Sequence, residues 1–546
     1  MQREVVKANI VVFIASFCTL VIELVAGRIM APYVGVSLYT WTSIIGVVLA
    51  GISIGAYLGG RIADRYPRSS TLGWLLFLSG LGAFSISPLT NLVGGAYFQT
   101  SLMTRILLIT TIIFFAPSCL LGMISPVVVK LTLNNLEKTG NVVGKIYAFS
   151  TLGSILGTFA TGFYLISWMG TRHILLTMGV ILIVSALIFG GFFRRKKTLA
   201  LSFLLLFIIL IILPITTLYV YARIYPGEVS VSSPIQSLRL SYGYAFKPPI
   251  DEETYFFKES DYYTIKLKRN IKSDHGNPLE SLVLDHLVHS YTDLKDPLYL
   301  EYEYIRIYEE FVRWQSKRKK SFKALFLGGG GYTFPRFIEA KYPKAEIDVV
   351  EIDPEITRVV KRYLGVSENT RIRSFNEDGR WFVMNCKEDG GYDFVFGDAF
   401  NDLSIPYHLT TREFALELKR LLKPDGLLLA NVIDSFKNGA FMPSYIRTLE
   451  EVFGKGHVHL VTLTPDYDHI GISTCVVVAS SKRLDMDDFV RVIQKGKGKM
   501  TSHVMPQEEL QKYLKERYSI VLTDDYVPVD NLIAPIFEER FGYQGR

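Results

Sequence analysis

The chain has 546 residues, a formal net charge of +7 and a mean hydropathy of +0.25. That length exceeds one ordinary domain, and that hydropathy exceeds what a wholly soluble protein carries. The basic residues lie in short loops between apolar runs and form no stripe, so the charge does not describe a nucleic-acid partner.

Taken in chain order, seven apolar runs come first. They centre near residues 9–30, 41–62, 71–94, 104–129, 143–168, 173–193 and 199–222. Each is long enough to cross a bilayer, which takes roughly 20 apolar residues. The first run continues into another and lacks a small-residue cleavage site, so it reads as a span and not as a removable signal. The lipid bilayer is therefore an expected partner. Lys and Arg alternate between loops: Arg3 and Lys7 precede the first span, Arg61, Arg65 and Arg68 follow the second, Lys130, Lys138 and Lys145 lie between the fourth and fifth, and Arg194, Arg195, Lys196 and Lys197 follow the sixth. The intervening loops hold almost only Arg105 and Arg172. Positive charge marks the cytoplasmic side, so the N-terminus is expected in the cytoplasm. Seven crossings then predict the C-terminal region outside it.

Glycines recur at spacing four, as Gly51, Gly55 and Gly59 and again as Gly153 and Gly157. Without side chains they let helix backbones approach, so these faces are expected to pack. "ELVAGRIMAP" places Glu23 and Arg28 at membrane depth, where a charge is either paired, snorkelled or functional. "GGRIADRYPR", from Gly59, resembles the loop between the second and third helices of the major facilitator superfamily, and six spans with that loop resemble half of such a transporter. The four cysteines, Cys18, Cys119, Cys386 and Cys475, make no CxxC or Cys/His cluster. Free buried thiols are expected, with no zinc site and no disulfide framework.

Past the seventh run charges recur every few residues. The expected division is a transmembrane region 1–225, a linker with a small β subdomain 226–310, and an α/β domain 311–546. "TYFFKESDYYTIKLKRN" and "LESLVLDHLVHSY" alternate as strands do, and "YLEYEYIRIYEEFVRWQ" reads as a helix. Then "KALFL", "EIDVVEI", "YDFVFGD" and "GLLLANVI" alternate with helical patterns, which predicts a parallel sheet covered on both faces. "VHLVTLTP" and "STCVVVAS" close the region as antiparallel strands.

A nucleoside site in such a sheet lies beyond the strand C-termini. The first strand ends in Gly328, Gly329, Gly330 and Gly331, where backbone can approach a ligand. Glu351 ends the next, about 20 residues on, where a carboxylate can take both ribose hydroxyls. Asp378 and Gly379 precede a helix and suit an adenine amino group; Asp398 ends a further strand. No Lys-Ser or Lys-Thr follows the glycines, so an adenosyl ligand fits better than a nucleoside triphosphate.

These residues together resemble the spermidine synthase family, the polyamine aminopropyltransferases, and most closely a branch with a multi-span N-terminal region. The resemblance rests on "ESDYYTI", "LVLDH", "GGGG", "VEID", "EDG", "GDAFND", "TPDYD" and "LTDDYVPVDNL", over roughly residues 255–535. It implies a Rossmann-like adenosyl-dependent transferase domain behind a small β subdomain. It also implies transfer of an aminopropyl group from decarboxylated S-adenosylmethionine to putrescine, without a metal, in a homodimer. Carried over by position, Tyr263, Gly328, Gly329, Gly330, Glu351, Asp353, Asp378, Gly379 and Pro406 would hold the donor. Asp285, Gly331, Asp398, Asn401, Asp402 and Tyr467 would hold the acceptor, with Asp398 taking the proton of the attacking amine. The chain departs from the family at Gly331, where the glycine loop usually ends in Asp, at Tyr263 in place of Gln, and at His286 in place of Gly. A substitute acid is then sought among Asp285, Glu301, Glu303, Asp402 and Asp466, and His286, His289 and His408 are further candidates for the site wall. Two other readings share the same residues: an S-adenosylmethionine-dependent amine methyltransferase, and a transporter-like sensor that binds a polyamine or nucleoside without turning it over.

Overall fold

Contacts within the chain separate it into two units, Met1–Asp251 and Glu252–Arg546, in this computed structural model. The structure describes residues 2–541 except 36, 95–99, 101, 134–138, 192–195, 213, 217–218, 220–252, 318, 320, 400–404, 468–469 and 497–499.

The first unit is helical: α1 (Gln2–Val34), α2 (Leu38–Arg65), α3 (Ser69–Val93), α4 (Leu102–Gly122), α5 (Ile124–Thr132), α6 (Thr139–Ala160), α7 (Ile166–Met169), α8 (Thr171–Phe189) and α9 (Lys196–Phe207). A π-helical turn over Thr161–Leu165 joins α6 to α7. Seven helical segments among the described residues, from Glu4–Val34 to Leu199–Thr216, are long and apolar enough to cross a membrane. The glycine stripes lie where helices touch. A β-carbon added to Gly55 would stand 2.1 Å from the Cys119 carbonyl oxygen of α4, and one on Gly153 would stand 2.3 Å from the Phe13 carbonyl oxygen of α1. A larger residue at either place must push two backbones apart, so the spacing of four encodes the α2–α4 and α1–α6 contacts. Arg172 of α8 is buried and donates to Ser87 Oγ at 2.6 Å and Asn91 Oδ1 at 2.9 Å of α3. The guanidinium is thus satisfied by neutral oxygens at a helix end. The stretch from Gly59 expected as a loop is helical as far as Arg65, the end of α2, and its Asp64 pairs with Lys130 at 2.7 Å. Lys138, Arg194 and Arg195 of the charge pattern lie outside the described residues.

In the second unit, β1 (Thr254–Glu259), β2 (Thr264–Lys272), β3 (Pro278–Leu284) and β4 (Leu287–Asp293) form an antiparallel sheet in sequence order. Each of the two alternating stretches read from the sequence holds a hairpin. Asp285 turns the second one, with φ +55, a left-handed conformation that Asp tolerates. The helix Glu303–Ser316 follows.

The main sheet contains β5 (Lys323–Leu327), β6 (Glu346–Val350), β7 (Ile372–Phe375), β8 (Tyr392–Gly397), β9 (Leu422–Ser435), β10 (Val458–Thr462), β11 (Ile472–Ala479) and β12 (His503–Val504). Its order is β12-β10-β11-β9-β8-β5-β6-β7, parallel from β7 to β9 and antiparallel beyond. The chain leaves β5 for β6 on one side and returns to β8 on the other. The crevice therefore opens between β5 and β8, at the point where a doubly wound sheet binds ligands. Phe326 and Phe396 stack across these strands at 4.5 Å and are buried, which fixes the two strands that carry the site.

Candidate active site

Register puts the polar strand ends in one row. Leu327 pairs with Val350 and with Gly397, Val350 with Phe375, and Gly397 with Ala430. The next residue on each strand is then Gly328, Glu351, Asn376, Asp398 or Asn431. The register therefore brings five separate sequence positions together along one edge, although β9 runs on beyond Asn431 to Ser435.

Gly328 adopts φ +99, and a β-carbon there would stand 2.2 Å from the Asp398 carbonyl oxygen. Only glycine fits that conformation and that approach. The turn delivers the next two N–H groups to Glu351: Gly329 N donates to Oε2 at 2.9 Å and Gly330 N at 3.3 Å. Asp353 N donates to Oε1 at 3.0 Å. Burial pushes the Glu351 carboxyl up to about 7, against these N–H donors, which favour its ionised form. Asp378 caps the helix Gly379–Asn385, accepting from Trp381 N at 3.0 Å, and its other oxygen meets His408 Nε2 at 2.9 Å. Burial alone would raise its pKa; the hydrogen bonds from Trp381 N and His408 outweigh it and leave the group below the usual range. Asp378 is thus a fixed anion on the wall.

Asp398 stands between two cavities. Tyr262, Tyr263, Glu351, Asp378, Pro406 and His408 are among the residues lining the first. His289, Ser290, Tyr291, Tyr302, Tyr304 and Tyr308 are among those lining the second. His289, Gly328, Gly330 and Asp398 line both. Tyr304 OH donates to Asp398 Oδ2 at 2.9 Å, and Asn431 Nδ2 donates to Oδ1 at 2.9 Å. Burial raises the Asp398 pKa, and these two donors oppose the rise. Burial first, and the Asp398 charge second, push the Tyr304 hydroxyl well above its ordinary value, so it remains a donor.

The first cavity gathers Tyr263, Gly328, Gly330, Glu351, Asp378, Gly379, Asp398 and Pro406 from the sequence candidates. Gly329 and Gly331 line the second. Asp353 is not on either wall: it caps the helix Pro354–Tyr363 through Glu355 N at 2.9 Å and accepts from Ser260 Oγ, tying the β subdomain to that helix. Asp285 is likewise off both walls, its carboxylate accepting from Thr264 N at 3.0 Å within the small sheet. Tyr467 stacks on Phe436 at 6.0 Å, away from both linings. Asn401 and Asp402 lie outside the described residues. Of the histidines, His289 and His408 reach the walls and His286 is on neither lining.

Sequence reasoning missed Tyr304, Tyr291, Tyr302, Ser290 and Asn431. Asn431 carried a weaker signal than Glu351 and Asp398, a polar residue inside the apolar run "GLLLANVI" and not at its end. The tyrosines carried a weaker one: Tyr304 and Tyr308 lie one turn apart on a helix, a spacing that ordinarily marks core.

A family model for the spermine/spermidine synthase domain matches residues 312–488. The chain is 34% identical over 155 residues to a polyamine aminopropyltransferase of Vibrio vulnificus, a match covering 28% of this chain and 51% of that protein. It is 32% identical over 183 residues to a polyamine aminopropyltransferase of Chromobacterium violaceum, covering 33% of this chain and 67% of that one. Polyamine aminopropyltransferase 2 of Aquifex aeolicus is 25% identical over 489 residues, 88% of either chain, a match too long to lie within one unit. The first of these matches thus spans about half the length of its relative.

Proposed function

The chain belongs to the spermine/spermidine synthase family, and from that premise we propose that its second unit transfers an aminopropyl group from decarboxylated S-adenosylmethionine to putrescine or a related amine. The products are a spermidine-type amine and methylthioadenosine. The observation that carries this reading is Asp398 on the shared wall of two cavities. The first holds the groups an adenosyl donor needs: Glu351 for the ribose hydroxyls and Asp378 for the adenine edge. The second leads amine to the same carboxylate.

The chemistry follows from that placement. An ammonium has no lone pair, so the acceptor must lose a proton before it attacks. Asp398 takes that proton. The nitrogen lone pair then forms a bond to the carbon beside the sulfonium, the carbon–sulfur bond breaks, and its electron pair neutralises the sulfur. Sulfonium is already a good leaving group, so alignment and local negative charge supply much of the rate. Purified protein given each adenosyl donor with a panel of amines should release methylthioadenosine, detected by mass spectrometry. Release of adenosylhomocysteine would install the methyltransferase reading instead, and binding without either product would make the chain a sensor.

For the first unit we propose a membrane anchor with its N-terminus in the cytoplasm and the catalytic unit outside it. Seven long apolar helices among the described residues and the alternation of loop charge support this. A reporter fused after Arg546 that fluoresces only in cytoplasm should stay dark. Bright cells would mean an even number of crossings.

A further inference from the structure

We propose that Asp524 is a positioning residue for the donor: it holds Arg380, and through Arg380 the turn Tyr407–Leu409, in the shape that closes the first cavity at its adenine end. This rests on the adenosyl-donor reading above and concerns a residue that lies on neither cavity wall.

Two short elements build the adenine end. Asp378 opens the helix Gly379–Asn385, and Pro406, His408 and Leu409 come from the turn before the helix Arg412–Leu421. His408 is held twice. Its ring meets Asp378, and its carbonyl oxygen accepts from Arg380 Nη1 at 2.8 Å. The same nitrogen donates to Thr411 Oγ1 at 3.2 Å, and Thr411 caps the helix Arg412–Leu421 through Phe414 N at 3.3 Å. One guanidinium therefore joins both elements. Asp524 keeps it aimed, accepting from Nη1 at 2.8 Å and also from Nη2. A carboxylate bound by two nitrogens fixes the guanidinium plane. Nη1 gives one hydrogen to Asp524 and so presents the other to His408 and Thr411.

Asp524 stands 144 residues beyond Arg380 in the chain and is itself set in place. It belongs to "LTDDYVPVDNL", which is stitched between two helices. Leu522 is buried, its N–H donates to Thr448 Oγ1 at 2.8 Å, and its carbonyl oxygen accepts from Arg412 N at 2.8 Å. The chain then turns tightly: Thr523 and Tyr526 exchange backbone hydrogen bonds at 3.1 and 3.0 Å, with two Asp residues, which turns favour, at the tip. Asp524 N donates to Glu413 Oε2 at 3.0 Å, which anchors the tip on the helix beside the site. The Arg380–Asp524 pair is partly exposed, so as an ion pair it contributes little to stability. Its consequence lies in where the guanidinium goes without it. The charges of Glu413 and Asp378 also act on Arg380, behind that of Asp524. With Asp524 gone, the cation turns toward those two carboxylates and releases the His408 carbonyl. At Asp378 it competes with the adenine amino group for the same oxygens.

The test is calorimetric binding of methylthioadenosine, and of its 6-oxo analogue methylthioinosine, to native and Asp524→Ala protein, with donor and amine KM measured alongside. The variant should bind methylthioadenosine about threefold to tenfold more weakly, the scale of one ordinary hydrogen bond, and donor KM should rise in step. Methylthioinosine lacks the amino group and should lose less, so the preference between the two nucleosides should narrow. Turnover number and amine KM should stay near native, since Asp398 is untouched. Arg380→Ala should lose at least as much, and the double variant no more than Arg380→Ala alone, as expected when one residue acts through the other. Asp524→Asn keeps the shape and one acceptor oxygen; it should fall between native and alanine, and it carries the test if the alanine protein fails to fold. A lowered melting temperature with native affinity and preference would make the pair a structural tie and overturn the proposal. Equal losses for both nucleosides, or additive losses in the double variant, would do the same. Native protein that binds no methylthioadenosine would overturn the donor reading as well, whereas native binding with an indifferent variant would overturn this proposal alone.

Discussion

Glu351→Gln should weaken methylthioadenosine binding by on the order of 1–3 kcal/mol, because the ribose loses charge-assisted hydrogen bonds. It should also abolish a pH dependence that the native protein shows. The sign is fixed by the state the ligand needs. Ribose hydroxyls donate, so they favour the carboxylate, while burial holds the free protein's Glu351 carboxyl up to about 7. Binding therefore expels a proton below that pH. Native affinity should rise with pH up to about 7 by as much as about tenfold per unit, then level off. Asp378, held below the usual range, stays ionised throughout and adds no slope. Calorimetry at several pH values, in two buffers of different ionisation enthalpy, counts the proton directly. The glutamine variant should show neither slope nor proton release. A slope that persists in a variant with native melting temperature would assign the proton to another group. Glutamine is an imperfect mimic here: three backbone N–H groups surround the carboxylate, and an amide nitrogen must face at least one of them.

The parallel strands and their ends were legible because two physical signals coincide there. A buried strand is an apolar run, and a ligand-binding edge is where that run stops. Glu351 and Asp398 therefore stood out, and the register confirms that they share a row with Gly328. The helical unit was legible for a similar reason, since helices long and apolar enough to cross a membrane are long uncharged runs and close helix contacts demand small residues. Legibility failed where a side chain's role depends on the third dimension. Asp285 sat beside candidate residues in sequence, yet a hairpin turn claims its carboxylate. Asp353 followed Glu351 by two positions, yet capping a helix turned it away from the cavity. Tyr304 belongs to a helix before the main sheet begins, and no local pattern says that its hydroxyl will reach the end of β8. Gly331 read as a missing acid. Only the packed structure shows that Ser290 occupies the space, which makes the change at one position intelligible through another.

Asp398→Asn should lower turnover by about 10²–10⁴, the usual cost of losing a general base. Donor affinity and melting temperature should stay near native. The hydrogen bonds explain why the fold should tolerate the change. The asparagine oxygen can still accept from Asn431 Nδ2, now 2.9 Å from Asp398 Oδ1. Its new amide N–H₂ would face Tyr304 OH, and a hydroxyl can rotate to accept as readily as it donates. The site keeps its shape and loses only the ability to take a proton. Two pH readouts separate this from a structural role. In the native enzyme the acid limb of kcat/KM should fall at a pH above that of an ordinary carboxylate, because burial raises the Asp398 pKa. In the variant that limb should vanish, and activity should climb with pH as free amine becomes available in solution, since an alkyl ammonium titrates near 10.4 in the reference scale for Lys. A residue that merely caps the turn after β8 would behave in the opposite way: its loss would lower the melting temperature and leave the surviving molecules fully active. Tyr304→Phe provides the control on the same carboxylate. It removes one of the two donors that oppose the burial effect, so the native acid limb should move to still higher pH without disappearing. Near-normal turnover in a well-folded Asp398→Asn protein would remove Asp398 as the base and, with it, the reason to place the reaction where the two cavities meet.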